Sequence, residues 1–424
     1  IKGFKNANLN GAVNLERVEN NQVFLGYYTT QIVNNARVIV TSLGKTVYEK
    51  SIEISPDKPF AETVTIDGPY ELTDLYTGLI NNDTREVLIS YQPAKLDPVA
   101  ALPEPVEGYR NPAEIKTVEE LYLTGSRVEQ FYSPQNDPMD WYNEALKRDP
   151  DDIRTNTAVG NRYLKNGDYE RAHGYFARAI KRLTMDYTRP SSCEAFYLQG
   201  LTLKVLGLYK EAIDTLYRAS WDYAWHSAAY FQLAQISAIQ NDFEKALDQV
   251  NESLSTNSRN CRVLALKASV QRRLGNSKEA IETLQPLLEE EPLDFRLLNE
   301  YYLASKAAGS TVVSDSMLSV LARKLRDFDQ NYLELAVGYI EDGLLPEAED
   351  VLLRFRGENP LFAYYLGYIY YRTGNLTQAE KFFKAGAGKP LDYVFPYRLR
   401  TIDVMETAIK LNPADGKAHY YIGN

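Results

Sequence analysis

The stretch FYLQGLTLKVLGLYKEAIDTLYRA, residues 196–219, decides the fold, because two later stretches repeat its pattern. They are YFQLAQISAIQNDFEKALDQVNES (230–253) and LALKASVQRRLGNSKEAIETLQPL (264–287). Gly200, Ala234 and Ala268 stand 34 residues apart, and so do Ala212, Ala246 and Ala280. A fixed period of this length marks a stack of supersecondary units. Small residues at the eighth and twentieth positions of the period let two antiparallel helices approach closely. Bulky residues at the fourth, eleventh, seventeenth and twenty-fourth, here Phe196, Leu203, Tyr209 and Leu216, fill the space around that contact. Gly207 and Gly275 are placed to end the first helices, and Pro292 a second one. One such hairpin cannot bury its apolar face alone, so its neighbours must stack on it.

This pattern resembles the tetratricopeptide repeat family. Further copies fit around Gly160, Tyr163, Ala172 and Phe176, around Ala336, Tyr339, Gly343 and Ala348, and around Gly367, Tyr370, Gly374 and Ala379. Residues 117–150 read as a divergent first copy, and 295–328 as a degenerate one in which Tyr302 and Gly309 fit. The resemblance implies a mainly α fold over 116–424, a right-handed superhelical solenoid of helix hairpins. Counting on from Ala408 and Pro413, the last repeat is truncated inside a helix at Tyr420–Ile422. That predicts a natural chain continuing past Asn424 and a bare end prone to self-association.

A finer resemblance lies in Trp221-Asp222-Tyr223-Ala224-Trp225-His226-Ser227-Ala228-Ala229-Tyr230, followed by Ser253-Leu254 and Asn257. It is similar to a group of large bacterial proteins that carry an uncharacterised galactose-mutarotase-like β-domain, a smaller β-domain and then tetratricopeptide repeats. The order of Pro93 to Asp152 looks similar too. The resemblance implies a carbohydrate-related setting.

Residues 1–95 read as β. Phe60, Val64 and Ile66 share one face of a run that Glu62 interrupts, and Ala36–Thr41 and Val47–Ile54 flank a Ser42-Leu43-Gly44-Lys45 hairpin turn. Asn81-Asn82-Asp83 is a second turn. Roughly seven short strands of this kind suggest a small immunoglobulin-like β-sandwich. Residues 96–115, with the prolines from Pro93 to Pro112, read as a stiff, extended connector. Helices then open on a Thr117…Glu120 capping box and on Asp137-Pro138.

A net charge of −10 and a pI near 5.1 set the chain against nucleic acid as a partner. No apolar run reaches the roughly 18 residues of a membrane span. Cys193 and Cys261 show no pairing pattern, which fits the cytoplasm, and with the dispersed His173, His226 and His419 they make no zinc site. Asp149-Pro150-Asp151-Asp152 lacks the glycine and closing glutamate of a calcium loop and reads as a turn between repeats. No nucleophile elbow, phosphate loop or His-Glu-x-x-His is present, so neither catalysis nor a cofactor is expected. His226 is expected to pack or cap at a repeat junction. The 32 tyrosines are read as core residues, with a tyrosine-rich sugar or peptide surface as the alternative.

The expected function is a non-catalytic scaffold that binds a protein or peptide in its concave groove. The alternative is an accessory C-terminal region of a bacterial carbohydrate-active or carbohydrate-binding protein. In the resembled family, fixed positions of each first helix face the groove. Here these give Asn161, Lys165, Tyr197, Lys204, Phe231, Gln235, Arg262, Arg272, Arg273, Tyr364, Tyr368, Tyr371 and Arg372. Lys204, Arg272, Arg273 and Arg372 suit an acidic segment. The chaperone-tail clamp known in the family is not matched: Asn161 fits, but Thr157 and Leu198 replace its lysine and second asparagine.

Overall fold

The computed structural model describes residues 3–19, 21–68, 70–95, 108–131, 134–186, 188–190 and 192–423. The chain falls into two compact units, one of residues 1–106 with 286–294, the other of 107–285 with 295–424. Most of the expected connector, including Pro98, Pro103 and Pro105, lies outside the described residues.

The strands of the first unit are β1 (Asn6–Ala7), β2 (Gly11–Glu19), β3 (Gln22–Thr29), β4 (Val33–Ser42), β5 (Lys45–Ile54), β6 (Phe60–Thr65), β7 (Leu75–Asn81) and β8 (Val87–Tyr91), with buried positions alternating along β3 and the middle of β4. These form two antiparallel four-stranded sheets, β1-β2-β3-β6 and β5-β4-β7-β8. The chain changes sheet after β3, β5 and β6, an immunoglobulin-like sandwich. Val13, Leu15, Val23 and Leu25 from one sheet meet Val38, Val40, Leu75 and Leu79 from the other in a single core. Leu43 and Gly44 take φ of 48° and 82°, the two left-handed residues of a tight hairpin turn. Phe60, Val64 and Ile66 are buried as expected, while Glu62 is held by Lys50 and Tyr48 of β5. On the far side the Asn6 amide donates to Ser90 O at 2.7 Å and the Asn8 amide to Leu88 O at 2.8 Å. Side chains of β1 and of the residue after it thus occupy backbone acceptors of the edge strand β8.

Residues 118–423 form helical hairpins, all in the second unit except the end of α10: α1 (Val118–Phe131) with α2 (Met139–Arg148), α3 (Ile153–Lys165) with α4 (Tyr169–Leu183), and α5 (Glu194–Val205) with α6 (Tyr209–Ala219). They continue as α7 (Tyr223–Ile239) with α8 (Phe243–Thr256), α9 (Cys261–Arg273) with α10 (Ser277–Glu290), and α11 (Phe295–Ala307) with α12 (Thr311–Leu325). The last are α13 (Asp329–Glu341) with α14 (Leu345–Arg354), α15 (Pro360–Arg372) with α16 (Leu376–Gly388), and α17 (Arg400–Leu411) with α18 (Gly416–Gly423).

The small-against-large rule holds in atoms. A Cβ on Gly125 would sit 2.6 Å from the Tyr142 ring, on Gly160 2.7 Å from Phe176, on Gly200 2.5 Å from Leu216, and on Gly367 2.6 Å from Phe383. Gly207 and Gly275 close α5 and α9 with φ of 74° and 87°. The degenerate segment 295–328 still forms the α11–α12 hairpin, with Tyr302 buried and Gly309 at its turn. Of the expected capping box only half forms: Thr117 Oγ1 accepts from Glu120 N at 3.1 Å, and Glu120 turns to Arg110 instead. Asp149 and Asp152 accept from the amides of Asp151 and Thr155, so the acidic run is a turn and a helix cap. His226 caps Ser220 O at 3.1 Å and packs on Tyr230. Residues 109–115 lie on the first hairpin, where Trp141 donates to Arg110 O and Arg148 to Ile115 O.

Candidate functional site: the interior cleft of the helical unit

The repeats curl far enough for distant turns to meet. Gly343, between α13 and α14, has φ of 76°, and a Cβ there would fall 2.6 Å from Ile239 Cα at the end of α7. Beside it the Gln235 amide donates to Asp342 at 2.8 Å. A Cβ on Gly167, in the α3–α4 turn, would lie 3.5 Å from the Leu399 and Ile402 side chains. The C-terminal ends of α3, α5 and α7 therefore look across a cleft of about 850 Å³ at α13, α15 and α17. A second hollow of about 440 Å³, lined by Tyr122, Arg154, Asn161 and Glu194, adjoins it through Lys165. There burial pushes the Glu194 carboxyl above its ordinary range.

Of the groove residues expected from the sequence, Lys165, Lys204, Phe231, Gln235, Arg262, Tyr368, Tyr371 and Arg372 line the main cleft. Asn161 lines the second hollow. Tyr197 stacks on Trp225 at 4.8 Å and borders neither space, and burial raises its phenol pKa. Tyr364 is fully buried, donating its hydroxyl to the Asp415 carboxylate at 3.0 Å, a core position rather than a groove one. Arg272 and Arg273, expected to await an acidic ligand, are already engaged within the fold. Arg272 pairs with Glu300 at 3.1 Å and Glu347 at 2.8 Å, and Arg273 pairs with Glu347 at 2.8 Å. The physical reason is that α14 swings its own carboxylate onto the end of α9.

This pairing belongs to a larger network. Arg296 joins Asp342 at 2.7 Å and lies over the Tyr339 ring at 3.5 Å. Glu300 is fully buried. Burial alone would raise its carboxyl, but the guanidiniums of Arg272 and Arg296 hold it below the ordinary value.

The cleft lining carries six cations, Lys165, Lys204, Arg262, Arg372, Arg400 and Lys410, against three carboxylates, Glu341, Asp403 and Glu406. Arg262 approaches Glu341 at 3.7 Å and Arg400 pairs with Asp403 at 2.5 Å. Lys204 Nζ instead donates to Gln232 Oε1 at 2.9 Å and Gln235 Oε1 at 2.6 Å. Burial pushes its ammonium down to about 8, against the pull of Asp342 and Glu341. Arg372 donates to the Tyr368 hydroxyl at 2.8 Å and Lys410 to that of Tyr371 at 3.0 Å.

Sequence reasoning missed Arg400, Asp403, Glu406 and Lys410. The non-helical segment 389–399 separates α16 from α17 and breaks the repeat frame, so no positional rule reaches them. Arg398 pins that segment to α13 through Glu334 at 2.8 Å and Gln330 at 2.9 Å. Among the described residues, no group of three or more His, Cys, Asp or Glu is placed to hold a metal ion. Nor is any helix among them long and apolar enough to cross a membrane.

Residues 158–224 and 333–391 match the model of the tetratricopeptide repeat. The hairpins of these two stretches are tetratricopeptide repeats. Residues 6–91 match the model of the YphG-like protein, second domain. Solved structures similar to the chain include a tetratricopeptide repeat protein from Parabacteroides merdae, 16% identical, covering 61% of this chain and 98% of that one with a TM-score of 0.41. The C-terminal part of a repeat-containing protein from Cytophaga hutchinsonii is 12% identical, covering 72% and 97%, with a TM-score of 0.41. Yeast Tom70 is 10% identical, covering 72% and 63%, with a TM-score of 0.39.

Proposed function

We propose that the chain is a non-catalytic scaffold whose helical unit holds a peptide segment of a partner protein in the interior cleft. The observation that supports this most is the cleft itself. Its size falls within the usual range of binding sites, and it mixes apolar walls such as Phe231, Ile239 and Ile340 with a few convergent polar groups. A stacked array of tetratricopeptide repeats is the type of fold that serves protein interaction. The test is panning of a random peptide display library on the intact chain and on a Phe231→Asp variant. Peptides retained by the chain and lost by the variant support the cleft. Equal retention by both rules it out as the binding surface.

A second reading, an accessory region of a carbohydrate-active protein, rests on the β unit. Its match to a module described as a second domain accords with the resemblance to multidomain bacterial proteins. A glycan array probed with the intact chain tests direct sugar binding.

A further inference from the structure

We propose that the occupant of the cleft is an acidic peptide segment, whose carboxylates pair with Lys204, Arg372 and Lys410. This rests on the scaffold reading above and names the ligand chemistry it leaves open.

The argument begins from a contrast. Four partly buried arginines elsewhere in the helical unit have carboxylate partners: Arg272 with Glu300 and Glu347, Arg296 with Asp342, Arg354 with Asp350, and Arg398 with Glu334. Around the cleft, Lys204, Arg372 and Lys410 meet amide and phenol oxygens instead. Neutral acceptors satisfy N–H groups but bring no counter-charge; Arg372 and Lys410 are exposed and stay hydrated, whereas Lys204 is half-buried. An enclosed ammonium without a close counter-ion opposes folding, since burial disfavours its charged form. Lys204 shows that cost in its depressed pKa. A sequence that supplied Glu300 and Glu347 to Arg272 supplies none to Lys204, although Asp342 sits nearby. Asp342 spends its oxygens on Gln235 and Arg296. The charge left over at the cleft is thus available to a ligand.

The three positions come from α5, α15 and α17 and face a common space. A segment with carboxylates at intervals meets all three, while its apolar side chains rest on Phe231 and Tyr368. A nucleic acid fits less well. Its evenly spaced phosphates meet Glu341, Asp403 and Glu406 in the same lining, and the chain as a whole carries −10. A peptide answers those carboxylates with its backbone N–H groups.

The experiment sequences the peptides that a random display library yields on the intact chain, and on the Lys204→Met, Arg372→Met and Lys410→Met variants. Thermal unfolding is recorded for each. The expected result is enrichment of Asp and Glu over the input library. Each substitution should weaken a recovered acidic peptide by roughly tenfold or more. Lys204→Met should do so while raising the Tm, because it removes an uncompensated charge and keeps an apolar stem. A purely structural lysine gives the opposite pattern, a lower Tm with unchanged peptide affinity, and that result overturns the proposal. Enriched peptides that are neutral or basic, yet lost on Phe231→Asp, overturn it too and leave the scaffold reading standing. No peptide lost on Phe231→Asp removes both. A single-stranded oligonucleotide that displaces a cleft-bound acidic peptide at equal concentration, and itself loses affinity on Lys204→Met, reassigns the site to nucleic acid.

Discussion

Gly160 shows how a single absent methyl sets the spacing of two helices. The Phe176 ring occupies the volume that a Cβ would need, with its nearest atom 2.7 Å away. Gly160→Ala gains intrinsic helix propensity but forces the ring from its place. The net effect expected is a loss of about 1–3 kcal/mol, read as a lower urea midpoint. Gly160→Ala with Phe176→Leu should recover part of it. Lys204 carries a different residue-scale prediction. Burial pushes its ammonium down to about 8, facing Glu341 of α13 and Asp342 just past its end, Arg262 of α9 and Arg400 of α17. Affinity for an acidic peptide should therefore fall as pH rises through about 8, and the fall should be absent in Lys204→Met. Stability should move the other way. The unfolded chain binds this proton more tightly than the folded one, so the group's contribution grows between the two pKa values as pH rises. Isothermal titration and thermal melts across pH 7–9 read the two effects separately.

At the scale of elements, the period of the sequence carried the hairpins and their small contact residues, because these are local and repeat. It also put eight expected groove side chains around one space, since a face of a helix follows from its register. It did not disclose what crosses the cleft. The partners of Arg272 lie 28 and 75 residues away, a distance at which periodicity is silent. The lining from α17 was hidden for the same reason, behind the non-helical segment that interrupts the frame. The α9–α11–α14 network makes its own prediction. Glu300→Gln removes the central carboxylate and leaves Arg272 with Glu347 and Arg296 with Asp342 as their remaining carboxylates, so it should cost about 1–3 kcal/mol. In the parent chain, Glu300 has a depressed carboxyl. Its contribution is present above the ordinary value of 4.5 and is lost as pH falls through the lower folded one. Urea midpoints should drop steeply below about pH 4.5, and this part of the drop should vanish in Glu300→Gln.

On the scale of the whole molecule, a chain of net charge −10 keeps a cleft whose lining is cationic. An acidic partner is repelled by the bulk and attracted by the interior, so salt should act on rate and affinity in opposite senses. Screening eases the approach while it weakens the contacts inside. The cleft also depends on closure. Gly343 lies against Ile239 backbone, which has no rotamer to yield, so Gly343→Val should part the two arms. Far-ultraviolet circular dichroism should stay near that of the parent, while amide exchange at Ile239 and Asp342 quickens and peptide affinity falls.

The β unit has a protection of its own. Asn6 and Asn8 lay their amides over the carbonyls of Ser90 and Leu88, at a margin where a foreign strand would otherwise zip on. Two short polar side chains thereby act as a stopper against intermolecular ladder growth. A chain shorn of its first eight residues, or bearing alanine at both asparagines, should keep its sandwich and yet gather into thioflavin-binding assemblies on storage.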